Sequence, residues 1–192
     1  IGGGSVWPLE TLARVAEEAG VQRTIIRHYI GNREDLIKAA ADHIAAKYKR
    51  DFLKIVESLP KEKRLENMLD YLFLGGFNER PFEDSLVETL FSAAKNNEDA
   101  RSCLFEMYGF FENTIFDELS TTYPDRDEAL LRGTAYSIMC LADQNVAMLA
   151  IGFPAERSVA AHRAARQLLR SIDTADLEAN IPTSSTSEES SG

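Results

Sequence analysis

The chain has 192 residues, 44% hydrophobic and 27% charged, enough for one good core or a small domain packed on a larger one. Its two cysteines, Cys103 and Cys140, are too few for a disulfide framework and have no Cys or His at metal-ligand spacing, so neither a metal nor a cofactor is expected. The most apolar stretch, 129–152, is interrupted by Arg132, Asp143, Gln144 and Asn145; with no signal peptide either, the expectation is a cytoplasmic protein without a membrane partner. The net charge of -10 is uneven: residues 1–50 hold eight Lys/Arg against six Asp/Glu, while the remainder holds 13 against 25. A slightly basic head on an acidic body fits a molecule that touches phosphates at one end only.

Helical periodicity dominates from Pro8 to Ile172, without convincing strand alternation or an internal repeat, so the fold class is all-α. Ile1-Gly2-Gly3-Gly4-Ser5 reads as a flexible start. A helix follows, opened by Pro8, with Leu12, Val15, Ala16 and Ala19 on its apolar face and Gly20 as its stop. A short helix, 22–29, comes almost at once. Gly31-Asn32 breaks it, and Asn32 with Asp35 is a variant capping box for a long helix over 33–58, stopped by Pro60. Further helices are expected at 61–77, 83–95, 98–121, 125–152 and 155–172. Cys103 and Cys140 both sit in apolar helical runs and are expected to be buried. The polar segment 173–192 is expected to be a disordered tail.

A helix, a tight glycine turn and a short second helix have helix-turn-helix spacing. Val21, Ile25 and Ile26 are expected to point back at Ala16 and Ala19. The positions left facing outward are Gln22, Arg23, Thr24, Arg27 and His28, and from Val21 to Arg33 there is no acid. Arginine matches a guanine edge, glutamine an adenine edge, and threonine the backbone or a thymine methyl. Arg33, in the first turn of the next helix, combines its charge with that helix's free amides to hold a phosphate.

These residues resemble the DNA-binding domain of the TetR family of bacterial regulators: Val15-Ala16, Ala19-Gly20-Val21, His28-Tyr29, Gly31 and Arg33-Glu34-Asp35-Leu36. The resemblance adds Tyr29 to the expected DNA contacts. It implies a helix-turn-helix domain over 1–50 and an effector-binding and dimerisation domain over 51–172, whose last two long helices pair with those of a second copy. Three departures stand out. The family's first helix would lie upstream of Ile1 and is missing from this chain. Arg27 stands where a phosphate-contacting Tyr is usual, and Thr24 where Gly is usual. Arg33 replaces a Lys and keeps its charge.

In the body, Phe73, Phe77, Phe91, Tyr108, Phe111, Tyr136 and Met139 are candidates for lining an apolar effector cavity, with Asp143 and Gln144 as its polar groups. Three consecutive polar residues, Asp143-Gln144-Asn145, cover most of a helix circumference. At least one therefore faces packed protein and needs a partner: a ligand, a second subunit or a neighbouring side chain. The dimer interface is expected on Leu131, Ala135, Ala161, Ala165, Leu168 and Ile172. The resulting expectation is a homodimeric repressor that binds palindromic double-stranded DNA and is released by a small, largely apolar effector. The chain contains none of the phosphate-loop, serine-hydrolase or zinc-protease motifs that would mark an enzyme. The alternative is a helical protein-interaction module with a degenerate DNA-binding head.

Overall fold

The computed structural model describes residues 16–79, 87 and 90–179. Among them regular structure is entirely helical: α1 (Arg23–Tyr29), α2 (Arg33–Ser58), α3 (Arg64–Leu74), α4 (Glu98–Thr122), α5 (Glu128–Ala150) and α6 (Glu156–Ala179). A 3-10 turn, Gly76–Glu79, follows α3, and helical residues 90–94 lead towards α4. The readings of Leu12, Val15, the glycine-rich start and residues 180–192 lie outside the described residues.

Local chemistry sets most helix ends. Gly20 takes φ +65°, with Val21 N–H bonded to the Ala16 carbonyl at 2.9 Å and Gly20 N–H to that of Glu17 at 3.1 Å, a Schellman stop. Asn32 caps α2: its Oδ1 accepts from the amides of Glu34 (2.7 Å) and Asp35 (3.0 Å), while its own amide donates to Asp35 Oδ2 at 2.8 Å. Gly31, at φ +105°, must stay glycine, because a Cβ there would collide with the Asp35 carboxylate that completes this box. Asn32→Ala should therefore cost about 1 kcal/mol in a urea titration. Gly31→Ala should cost more, since it adds backbone strain to the loss of the cap; equal costs would argue against the strain.

Several expected bounds shift. α3 starts at Arg64 because Lys63 adopts φ 62°, and it stops at Leu74 because Gly75 turns extended. Asp127 delays α5 by accepting from the Leu130 amide at 3.0 Å. The tail does not begin at 173: α6 continues to Ala179, since neither Pro nor Gly interrupts it before Pro182. The expected domain boundary after residue 50 falls inside α2.

Two apolar clusters organise the body. The larger joins Phe52 and Val56 of α2, Leu65 to Phe73 of α3, Phe111 to Leu119 of α4, and the inner faces of α5 and α6. The smaller packs Ile37, Ala41 and Ala45 of α2 against Leu90, Ala93 and the first half of α4 (Ala100, Cys103, Leu104, Met107). Tyr48 and Tyr108 touch both. Thus α2, 26 residues and about 39 Å long, carries α1 at one end and is embedded in the body along its length.

Candidate functional site

The head presents α1. Gln22 is its N-cap residue, and Gln22, Arg23, Thr24, Arg27, His28 and Tyr29 are all exposed. Its first turn has no acid and its last holds Arg27 and His28. The His28 and Tyr29 rings meet edge-on at 5.0 Å. Arg33 is the first residue of α2; its side chain lies outside the described residues. The expected inward face is narrower than sequence implies. Ile26 is buried, but Val21 and Ile25 are 38% and 44% exposed, and Ala19 is exposed while Ala16 is buried. Ile25 sits about 100° around the helix from Ile26, so burying one leaves the other turned aside.

The body contains a groove of about 580 Å³ between residues 91–95, α4 and α5, within the range of small-molecule sites. Phe91, Tyr108, Tyr136 and Met139 line it, and so do Ala94, Lys95, Arg101, Leu104, Phe105, Gly109 and Glu112. A recess of about 160 Å³ shares Phe91 and Tyr108, and Asp143 is the one carboxylate among its described lining residues. The rings of Phe91 and Tyr108 lie 5.6 Å apart. Three expected cavity residues are elsewhere: Phe73, Phe77 and Phe111 are at most 4% exposed in the main core, where Phe111 packs on Phe52 and Phe77 at centroid distances of 4.6 and 5.7 Å. Phe73 meets the His162 ring of α6 at 6.2 Å, Phe77 lies in the turn after α3, and Phe111 faces Phe52 of α2, so all three point into the main core rather than the groove. Helix period marks a residue as inward, and no local signal separates core from cavity wall.

The polar triplet on α5 resolves residue by residue. Asn145 is buried and accepts from Ser158 Oγ at 3.2 Å, tying α5 to α6. Gln144 is exposed on the outer face and does not line either cavity. Asp143 is half-buried and accepts from the Tyr108 hydroxyl at 2.8 Å. Burial pushes its carboxyl above the usual carboxylate range, with the Tyr108 bond opposing. A carboxyl whose pKa rises on folding favours the folded state at low pH and loses that contribution as pH rises through the folded value, so ionised Asp143 opposes folding at neutral pH.

The expected dimer stripe also turns inward. Leu131, Ala135, Ala165 and Ile172 are at most 3% exposed within the chain's own core, and Ala161 and Leu168 pack against it. The outer faces of the same helices carry Gly133, Tyr136, Cys140 and Gln144 on α5, and Ala160, Ala164, Gln167 and Ser171 on α6. Cys140 is therefore exposed rather than buried, because it lies one helical step round from Met139. Cys103 is buried, and that burial raises its thiol pKa. His162 Nε2 sits 2.8 Å from Asp70 Oδ1, a tie between α6 and α3.

No protein-family model matches the sequence, and no curated protein does. Among solved structures, a TetR transcription regulator from Haloarcula marismortui superposes with a TM-score of 0.67, covering 88% of this chain and 89% of its own at 18% identity. The fold is that of a TetR regulator. At this identity the likeness concerns architecture, which places the exposed basic α1 and the grooved body within one TetR-like frame. No helix among the described residues is long and apolar enough to cross a membrane.

Proposed function

We propose that this chain is a DNA-binding transcriptional regulator, a cytoplasmic homodimer that represses from a palindromic operator and is released by a small, largely apolar effector. The observation that carries this reading is an exposed, acid-free α1 with Arg23, Arg27 and His28 facing solvent on a TetR fold. Arg23, Gln22 and Thr24 are assigned to base edges, and Arg27, His28, Tyr29 and Arg33 to the backbone and groove walls. No catalytic role is assigned to any residue.

The second copy is placed on the outer faces of α5 and α6, where Gly133, Ala160 and Ala164 permit close helix approach and Tyr136 supplies apolar area. A two-fold dimer sets its recognition helices about 34 Å apart, one DNA turn. Release follows from packing. A ligand seated against Phe91 and Tyr108 displaces residues 90–94 and α4, on which the Ile37, Ala41 and Ala45 face of α2 rests. Movement of α2 carries α1 out of half-site register. The ligand acts only by binding that released state more tightly.

Selection from random duplex DNA with the full-length protein should recover a palindrome. Ala164→Glu, which places a carboxylate on the proposed dimer face, should run as a monomer and recover at most a half-site. Enrichment of one unpaired site by a dimeric wild-type protein would sink the two-fold model. A second reading, a helical interaction module, draws on the exposed Val21, Ile25 and Tyr29 of the head. The two separate on salt: affinity for DNA that falls steeply with ionic strength belongs to the regulator.

A further inference from the structure

Among the described residues, the recess beside the groove is apolar apart from one carboxylate and one phenol, a combination that selects by charge. Asp143 accepts a single hydrogen bond, from Tyr108, and no basic side chain among the described residues pairs with it. A carboxylate has about four lone-pair sites, so beside the Tyr108 bond Asp143 has room for further donors. Lys95 and Arg101 line the wide groove but not the recess, and Arg101 is engaged by Glu98 Oε2 at 2.6 Å and by the Ala94 carbonyl. The rings of Phe91 and Tyr108 stand at the junction of the two spaces, where aromatic faces attract a cation.

We propose that the effector is a cation-headed amphiphile, a protonated amine whose ammonium group pairs with Asp143 and whose apolar body lies past Phe91 and Tyr108 in the wide groove. An ammonium brings further, charge-assisted donors to the carboxylate. A neutral head leaves the charge desolvated, and an anion is repelled. Burial disfavours the ionised Asp143 carboxyl, and a cation beside it offsets that cost. This inference rests on the groove being the effector site.

Three probes with one body and different heads separate the two ideas: 4-phenylbutylamine, 4-phenylbutan-1-ol and 4-phenylbutyrate, titrated calorimetrically into the full-length protein. The amine should bind at least roughly tenfold more tightly than the alcohol, as expected of a charge-assisted bond, and the carboxylate most weakly. Asp143→Asn should bring the amine to the alcohol's level and leave the alcohol unchanged. This variant removes a charge that opposes folding, so it should remain folded. Tyr108→Phe keeps the ring and removes a competing donor, so amine affinity should hold or rise. Gly109 lines the groove with open space at its Cβ position, so Gly109→Leu should fill it and weaken all three probes. If amine and alcohol bind equally, or Asp143→Asn leaves the amine unaffected, the charge assignment falls, while loss on Gly109→Leu still upholds the groove. If no probe binds the wild-type protein, or if Gly109→Leu changes nothing, the effector site itself is misplaced and the inference falls with it.

Discussion

Replacing Phe111 with alanine should lower the unfolding free energy by about 3–5 kcal/mol, as expected for a fully buried phenylalanine. The ring is 1% exposed and stacks edge-on against Phe52 at 4.6 Å, with Phe77 at 5.7 Å. It joins α2 to α4 and to the turn after α3. Truncation therefore removes apolar transfer energy and leaves a void that three elements cannot jointly close. In a thermal melt at fixed protein concentration, the midpoint should fall by roughly 6–20 °C. Sequence alone makes Phe111 a cavity wall, and that role predicts the opposite pattern: a small stability change with loss of ligand binding. A cost below about 1 kcal/mol would return Phe111 to the cavity.

Arg27→Ala should weaken operator binding by about 1–3 kcal/mol per half-site, and a two-fold dimer carries the change twice. Arg27 lies in the last turn of α1, exposed and without an ion pair among the described residues, so its charge is available to DNA. As a phosphate contact it carries no sequence information. The loss should therefore be uniform across operator variants, and the slope of log affinity against log salt should shrink by about 0.9 for each lost contact. Arg23→Ala, by contrast, should relax preference at one base pair in each half-site while changing the slope less. Unchanged affinity and slope in both variants would remove α1 from the DNA interface.

Caps and helix stops are legible in sequence where one short stretch holds both partners of an interaction. Gly20 as a helix stop, Asn32 with Asp35 as a capping box, and the solvent-facing set on α1 each depend on neighbours within five residues. The groove was half legible. Phe91, Tyr108, Tyr136, Met139 and Asp143 announce themselves as aromatic, soft or polar in an apolar run, whereas Ala94, Leu104 and Gly109 line the same space with no signal that distinguishes them from any helical residue.

The sequence by itself determined the all-helical class, the helix-turn-helix spacing and a basic head on an acidic body, because periodicity, capping and charge are properties of local order. Only the tertiary structure decided which face of each helix meets which neighbour. On α6, Ala161 and Ala165 lie about 100° round from Ala160 and Ala164, and both stripes are small enough for close packing. The first covers the chain's own core and the second is left to solvent. The same choice sent Asp143, Gln144 and Asn145 to a cavity, the outer face and a buried Ser158 bond. Helix period fixes the angle between two residues, but the direction that counts as inward is set by the other helices, through contacts distant in sequence.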